Sequence, residues 1–357
     1  MGLPAMNIVF VSAARDAVRR SDRGSVGMII KDAAIPEGNP AIVYKEKDIP
    51  STLSEDNQNQ IKLALMGYEK RPSKIVVYVL PTETKDYSNA LAYFAIKKVA
   101  WLCCPTVKTD NQTDAVATWV KEQRENKNKI KSVLPETDAD CEGIVNFATE
   151  SIPVGAKTYT SEQYCSRIAG LLAGTPMTMG ATFAVLNEVS AINTNKEIID
   201  KAIDAGKFML FYDGEKVKVA RAVNSLTTVK TTQSQPWKKI KVVETMDMIN
   251  DDLTLLAEDN YIGKYTNTYS NKCLLLTAIR AYLQELQRVG VIEDYDIDFD
   301  VDSIRDYIVL NKGVTRDDAE AMKDEEVKRQ YTDEKVFFAG KITIADVMED
   351  INLNIAI

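Results

Sequence analysis

The sequence predicts an α/β domain followed by an α+β domain. From residue 24 to about residue 150, short apolar runs alternate with amphipathic segments, which is typical of β-α-β units on a mainly parallel sheet. Residues 75–80 are apolar at every position, as expected for a strand that is buried on both faces. After residue 154 the alternation stops and a hairpin signal appears, so we expect helices beside antiparallel strands.

The first domain is predicted to follow a regular alternation. Its strands are expected at residues 26–30, 75–80, 99–103, 130–133 and 143–148, and its helices at residues 54–66, 87–97 and 113–124. Parallel sheets usually bind ligands beyond the carboxyl ends of their strands. No glycine-rich turn follows any of these strands, so we expect no nucleotide site and no cofactor.

The second half is predicted to be mainly helical. Helices are expected at residues 164–173, 196–205, 246–256 and 271–289. Between the second and third of these, residues 208–212 and 217–220 flank Asp213-Gly214, a strong signal for a β-hairpin. The apolar positions of the last helix recur every three or four residues, which predicts one buried face.

An acidic run at residues 294–302 alternates with apolar residues. As a strand it would place Tyr295, Ile297, Phe299 and Val301 on one face and carboxylates on the other. A calcium loop of the EF-hand type is excluded, because Val301 stands at the glycine position and Tyr307 at the final glutamate position. A solvated acidic face and a surface for a basic partner both stay open.

The composition argues against most enzyme classes. The chain contains no histidine, which removes the Ser-His-Asp and Cys-His types of nucleophilic catalysis and the commonest metal ligand. We expect no enzyme activity and no metal site, although a hydrolase that uses carboxylates alone, such as Asp251 or Asp296, remains an alternative. The five cysteines have no C-x-x-C spacing and are predicted to be free, buried thiols.

Both termini carry short segments that read as strands. Residues 351–357 alternate apolar and polar side chains without exception, and residues 6–11 are also predicted to be extended. The apolar face of residues 351–357 is formed by Ile351, Leu353, Ile355 and Ile357. The apolar face of residues 6–11 is formed by Met6, Ile8 and Phe10. Because an unpaired strand exposes backbone donors and acceptors, each should complete a sheet. The sheet could belong to another chain or, in a monomeric binding module, to the same chain.

Charge is distributed unevenly between the two ends. Residues 1–31 carry a net charge of +3, and residues 291–357 carry 18 acidic and 8 basic residues, a net of −10. Opposite charges suggest that the ends meet, within one molecule or between molecules. The basic contacts are expected from Arg15, Arg19, Arg20 and Arg23. The overall charge of −8 and the absence of aromatic residues among these arginines disfavour nucleic acid, and no apolar run is long enough for membrane insertion.

Several stretches, taken together and in order, resemble the contractile tail sheath family of phages and R-type bacteriocins, especially its short Gram-positive branch. They are residues 168–176 (IAGLLAGTP), 221–227 (RAVNSLT), 242–249 (VVETMDMI), 260–265 (NYIGKY), 282–286 (YLQEL) and 346–350 (DVMED). The resemblance covers essentially the whole chain and is strongest from residue 168 onward.

The resemblance implies a structural subunit with no active site. Such subunits polymerise as stacked hexameric rings around a tail tube and contract to drive the tube through a cell envelope. The implied partners are further copies of the chain, the tube protein, and baseplate and tail terminator proteins. The implied location is a virion tail or bacteriocin particle that is assembled in the cytoplasm of the producing bacterium.

The resemblance also implies a domain organisation. Residues 1–23 would be an N-terminal arm, residues 24–155 an outer α/β domain, residues 156–345 an inner α+β domain, and residues 346–357 a C-terminal arm. In the family the arms add strands to a sheet of a neighbouring subunit. Many relatives carry a protruding domain where this chain has only residues 81–86, so we expect a minimal sheath.

Contact with the tube is expected from the inner domain. The candidate is the helix at residues 271–289, although an ordinary buried helix is an equally good interpretation. Its candidate contact residues are Lys272, Arg280, Gln284 and Gln287.

Overall fold

The computed structural model describes residues 24–192, 195–231 and 233–355. The described residues form two compact units, which we call the α/β unit (residues 24–247 and 344–355) and the C-terminal unit (residues 248–343). Among the helices of this part of the chain, none is both long enough and apolar enough to cross a membrane.

Most of the α/β unit is built around one sheet. The strands of the whole unit are β1 (Ser25–Asp32), β2 (Ala41–Val43), β3 (Lys74–Pro81), β4 (Trp101–Cys103), β5 (Lys131–Pro135), β6 (Ile144–Phe147), β7 (Ile152–Val154), β8 (Lys157–Tyr159), β9 (Lys207–Phe208), β10 (Leu210–Tyr212) and β11 (Val217–Val219). Its helices are α1 (Glu55–Leu65), α2 (Ser88–Ile96), α3 (Thr113–Glu125), α4 (Ser161–Ala173) and α5 (Lys196–Asp204). Seven strands form the sheet in the order β2-β3-β1-β4-β5-β6-β9.

The predicted parallel sheet is confirmed. All neighbours in it run parallel except β2, which pairs antiparallel with β3 at one edge. Alternate side chains of β1 enter two different cores, with Met28 among residues of α1 and α4 and Ile29 among residues of α2 and α3. Because helices cover both faces, the central strands are apolar at nearly every position.

The expected domain boundary at residue 155 does not divide the compact units. Helix α4 follows that residue yet packs on strands β1, β4 and β5, and β9 adds the last strand to the same sheet beside β6. The alternation of strands and helices stops near residue 150, but the face of the sheet still needs a cover. Helix α4 supplies it, so the α/β unit extends to residue 247.

Close packing explains the small residues of α4. A side chain at Gly170 would place its Cβ atom 2.0 Å from the carbonyl oxygen of Ala64 on α1, so only glycine allows these helices to approach. The first turn of α4 is capped by Thr160, whose hydroxyl accepts a hydrogen bond from the backbone N–H of Gln163. The stretch at residues 168–176 is thus tied to helix–helix packing.

The hairpin prediction is confirmed at Asp213-Gly214. Strands β10 and β11 pair antiparallel on either side of this turn. The carboxylate of Asp213 accepts hydrogen bonds from the backbone N–H groups of Glu215 and Lys216, at 2.9 and 2.7 Å. The prediction of free thiols is also confirmed, since all five cysteines are free and four of them are buried.

The C-terminal unit is mainly helical. Helix α6 (Ile240–Asn260) crosses into it from the α/β unit at residues 247–248. Its further elements are α7 (Tyr269–Arg288), β12 (Ile292–Phe299), α8 (Val301–Lys312), α9 (Arg316–Ala321), α10 (Asp324–Lys328) and β13 (Phe338–Ile344). Strands β12 and β13 form a two-stranded sheet. Phe299 of β12 stacks on Tyr269 of α7 and meets Phe338 edge to face.

The acidic run is only partly a strand. The predicted alternation holds as far as Phe299, where β12 ends, but Val301 begins helix α8 and does not extend the strand. The reason is local, because the carboxylate of Asp300 accepts a hydrogen bond from the backbone N–H of Ser303 at 3.0 Å and so caps the helix.

Candidate assembly site

The two-stranded sheet of the C-terminal unit has edges where a further strand could pair. Strands β12 and β13 are eight and seven residues long, whereas β10 and β11 of the hairpin have three each. In the described part of the chain no third strand joins β12 and β13, so each has one edge without a strand alongside it. An added strand of about seven residues would match their length.

The free edge of β12 is partly covered by helix α7. Gln287 donates a hydrogen bond to the carbonyl of Glu293 at 2.8 Å, and Arg280 donates to the carbonyl of Ile297 at 2.9 and 2.6 Å. These carbonyls are four residues apart and point to the same side of the strand. The carbonyl of Asp296 points to the other side, where a Cβ atom on Gly340 of β13 would lie 2.3 Å from it. Arg280 and Gln287 therefore protect the outer edge.

Three of the four residues proposed to face the tube lie on the exposed side of α7, but Lys272 does not. Gln284 is exposed, as are Arg280 and Gln287. Lys272 is only 4% exposed, and its ammonium group donates a hydrogen bond to Thr332 at 2.8 Å. Burial lowers the pKa of Lys272. The expected placement of Lys272 on the exposed side of the helix is wrong, because Lys272 precedes buried Leu276 by four residues and shares its face.

The first residues of the C-terminal segment, from residue 345 onward, are held in place by contacts with two lysines of the α/β unit. Lys239 forms ion pairs with the carboxylates of Asp346 and Glu349, the second at 3.2 Å, and Lys241 donates to the carbonyl of Ala345. Burial favours neutral Asp346, but the hydrogen bonds from Lys239 and from the backbone N–H of Val347, together with the nearby charges of Lys239 and Lys241, lower the pKa of Asp346. Residue 345 is thus held on the α/β unit one residue after β13 ends.

Two residues near the hairpin complete this attachment. The guanidinium of Arg221 donates from Nη2 to both carboxylate oxygens of Asp350 at 2.8 Å, which raises the pKa of Arg221. The hydroxyl of Thr182 donates to Glu349 at 2.6 Å and accepts from the backbone N–H of Ala222 at 3.0 Å. Glu349 is the best buried of the acids, with its side chain 7% exposed.

Beyond Asp350 the segment leaves the body of the unit. Ile351, Leu353 and Ile355 are 81, 76 and 75% exposed and belong to no strand. Their alternation therefore has no partner in the described part of this chain. Ile357 lies outside the described residues, as do the predicted N-terminal strand with Met6, Ile8 and Phe10 and the basic residues Arg15, Arg19, Arg20 and Arg23.

A buried cluster of charges fixes the first half of helix α6. Arg124 of α3 binds Asp247 through two hydrogen bonds, and Lys131 of β5 pairs with Glu244 and Asp247 at 3.0 and 3.3 Å. Burial opposes the charge on Asp247, but Lys131 and Arg124 lower its pKa. Arg124 also binds Glu142 at 3.0 Å. The stretch at residues 242–249 therefore carries the acids that attach α6 to the α/β unit.

The carboxylates named as hydrolase candidates are not gathered into a site. Asp251 is half-buried on α6, and Asp296 is exposed on β12. Neighbouring Asp252 is buried and accepts a hydrogen bond from Tyr282 at 2.8 Å. Across residues 24–192, 195–231 and 233–355, no three acidic, histidine or cysteine side chains are grouped to hold a metal ion.

The carboxyl end of β4, where a parallel sheet would bind a phosphate, is occupied by the protein itself. The backbone N–H groups of Lys108 and Thr109 both donate to Glu162, at 2.5 and 2.8 Å. The Thr109 hydroxyl donates to the same carboxylate at 2.8 Å. The donors that an anionic ligand would need are therefore already used by the first turn of α4.

Sequence reasoning missed the residues that hold the C-terminal segment. Arg221 and Asp350 are 129 positions apart, and nothing in their spacing indicates a contact. The available signal was indirect, because residues 221–227 and 346–350 are two of the stretches that carry the family resemblance. Lys239 and Thr182 lie outside those stretches, and only the structure identifies them.

The solved structures that superpose on this chain include tail sheath proteins. The sheath tail protein from Desulfitobacterium hafniense superposes with a TM-score of 0.69 at 16% identity, over 84% of this chain and 94% of that one. The helical sheath of the anti-feeding prophage in its contracted state superposes with a TM-score of 0.66 at 15% identity, over 100 and 99% of the two chains. The fold is thus that of contractile sheath subunits.

Sequence comparison gives the family. Residues 82–225 match the model of the phage tail sheath protein central domain, and residues 232–357 match that of the phage tail sheath C-terminal domain. The tail sheath protein of Clostridium phage phiCD119 is 34% identical over 99% of both chains. This chain belongs to the phage tail sheath protein family, and it is a structural subunit of a phage-type contractile tail.

Proposed function

We propose that this chain polymerises as stacked hexameric rings around a tail tube and contracts to drive the tube through a cell envelope. One observation carries the proposal. A segment with the alternation of a strand, residues 351–355, is exposed in a chain whose C-terminal unit has, in its described part, a sheet with unpaired edges. Exposed strands and open edges pair readily, and backbone hydrogen bonds then give affinity while alternate side chains give register.

The proposed connection runs from residues 351–357 of one subunit to the β12–β13 sheet of a neighbour. The N-terminal residues 6–11 are the second candidate strand, and two arms would match two open edges. The basic residues Arg15, Arg19, Arg20 and Arg23 would lie near the acidic residues of β12, which include Asp294 and Asp296. Charge complementarity of this kind favours the correct register and speeds association.

The tube would contact the exposed side of α7. Gln284 is the best candidate, because its side chain is exposed, while Arg280 and Gln287 already bind backbone carbonyls of β12. The remaining proposed partners are the baseplate and tail terminator proteins at the two ends of the polymer. Solved assemblies with the same fold include the baseplate of the anti-feeding prophage. The particle would be a virion tail or a bacteriocin, assembled in the cytoplasm of its producer.

The strand connection is tested by two matched pairs of substitutions. Leu353→Asp with Ile355→Asp places charges on the apolar face of the segment. Asn352→Asp with Asn354→Asp places the same charges on its polar face. We expect both proteins to fold with the same melting temperature, because residues 351–355 are exposed. By electron microscopy the unmodified chain and the variant with Asn352→Asp and Asn354→Asp should form long hollow polymers. The variant with Leu353→Asp and Ile355→Asp should remain unassembled. Normal polymers from that variant would contradict the strand connection.

A further inference from the structure

We propose that Thr182, Arg221 and Lys239 form a clasp that holds residues 345–350 and makes the exchanged strand begin at Ile351. The inference rests on the proposed function, in which residues 351–357 are donated to a neighbour. The family comparison assigns no role to these three side chains. We call residues 345–350 the root of the exchanged strand. Thr182, Arg221 and Lys239 are positioning residues, because they contact the root and not the strand itself.

The contacts of the root follow one pattern. Asp346, Glu349 and Asp350 each bind a side chain of the clasp, while Met348 between them is 93% exposed. Val347 packs closely at Gly180, where a Cβ atom would lie 3.0 Å from the Val347 Cγ2 atom. Every residue of the root except Met348 is therefore in contact with the α/β unit, and contact ends abruptly at Ile351.

All three residues of the clasp contact Glu349. Its carboxylate accepts a hydrogen bond from Thr182 and lies 3.2 Å from the ammonium of Lys239 and 3.7 Å from the guanidinium of Arg221. A single exposed ion pair contributes little, but several charges that share one well-buried carboxylate form a network and hold one geometry. The network joins residue 182, residues 221–239 and the root.

A fixed root matters because it limits where the exchanged strand can go. Seven extended residues span about 23 Å. A strand that starts at a fixed Ile351 can therefore pair only with a sheet edge that lies within about that distance of Ile351. If the root were free, six more residues would have to be ordered during assembly, and their lost conformational freedom would weaken the connection. The clasp orders them before assembly.

The test reverses the charges of the two exposed acids that the clasp binds, Asp346 and Asp350. In Asp346→Lys with Asp350→Arg, the new cations face Lys239 and Arg221. The matched control, Glu122→Lys with Glu215→Arg, changes the net charge equally at exposed acids outside the clasp. Hydrogen–deuterium exchange should show the amides of residues 345–350 exchanging as fast as those of residues 351–355 in the reversal variant only. The critical concentration for polymerisation should rise about tenfold, an order-of-magnitude figure for losing a network of ion pairs.

A milder variant guards against misfolding. Glu349→Gln retains the size of the side chain and removes only its charge, and we expect faster exchange of the root and a smaller rise in critical concentration. Failure of the unmodified chain to polymerise would overturn the proposed function. If the unmodified chain polymerises and truncation before Ile351 prevents it, the proposed function stands. Unchanged exchange and unchanged critical concentration in both clasp variants would then overturn the clasp alone.

Discussion

Arg124 and Asp247 face each other through two hydrogen bonds of 2.9 and 3.1 Å, with side chains only 7 and 5% exposed. The pair joins helix α3 to helix α6 at the last residue that α6 contributes to the α/β unit. A buried pair of charges costs free energy to desolvate, and removal of one partner leaves the other buried without compensation. The pair therefore stabilises the attachment of α6 only while it is complete.

The first prediction concerns this pair. Asp247→Asn should lower the free energy of unfolding by about 3–5 kcal/mol, because Arg124 and Lys131 would lose their shared carboxylate. Urea denaturation followed by circular dichroism measures the loss. The control is Asp306→Asn, which breaks an exposed pair with Arg316 and should cost less than about 1 kcal/mol. Equal effects of the two substitutions would contradict the role given to the buried cluster.

The second prediction concerns acid stability. Burial disfavours the charge on Asp32, but hydrogen bonds from the Asn57 side chain and from the backbone N–H groups of Ser54 and Ala34 outweigh it and lower its pKa to about 2 from 3.8. Because the pKa is lower in the folded state, this stabilisation is present above pH 3.8 and is lost as the pH falls towards 2.

The size of the pH effect follows from the same shift. Between pH 4 and pH 2 the unmodified chain should lose about 2 kcal/mol more stability than Asp32→Asn, which has no charge to lose. Denaturant titrations at several pH values provide the measurement. Parallel pH profiles of the two proteins would show that these hydrogen bonds do not lower the pKa of Asp32.

The third prediction concerns the protected edge of β12. In Arg280→Ala with Gln287→Ala, the carbonyls of Glu293 and Ile297 lose their donors, and an incoming strand no longer has to displace them. At about 1 kcal/mol for each of the two carbonyls, assembly should become up to about thirtyfold faster by light scattering. Arg288→Ala, which breaks an exposed pair with Glu285 on the same helix, should leave the rate unchanged. Slower assembly of the double variant would mean that these side chains do not guard the edge.

The fourth prediction concerns the basic N-terminal residues. Changing Arg15, Arg19 and Arg20 to Glu should weaken polymerisation, and the effect should be larger at low ionic strength, where charge pairs are least screened. Sedimentation of polymers across a salt series measures it. The same weakening at every salt concentration would point to lost packing, and no weakening at all would remove electrostatics from the contact.

Local chemistry explains which elements could be predicted from the sequence. The strand ending near Leu80 was predictable because burial on both faces leaves an apolar run, and the hairpin because Asp213-Gly214 allows few other conformations. Lys272 was placed wrongly because a lysine suggests the surface, while its spacing from Leu276 and Ile279 puts it on the buried face. Residue type and position disagreed there, and position prevailed.

Contacts between distant residues were not predictable in the same way. Arg221 with Asp350 and Arg124 with Asp247 are separated by 129 and 123 positions, and any of the many other charged residues would have been an equal partner on sequence grounds. The α4 cover of the sheet was missed for a related reason. Its small residues signal close packing, but the partner, Ala64, lies more than one hundred residues earlier.

The central claim is that residues 351–357 connect one subunit to the next, and a reconstruction of the assembled polymer tests it most directly. We expect these residues as a strand hydrogen-bonded to β12 or β13 of an adjacent subunit, with residues 345–350 still on Arg221 and Lys239 of their own subunit. Density in which residues 351–357 pair with the sheet of their own subunit, or with no sheet at all, would contradict it.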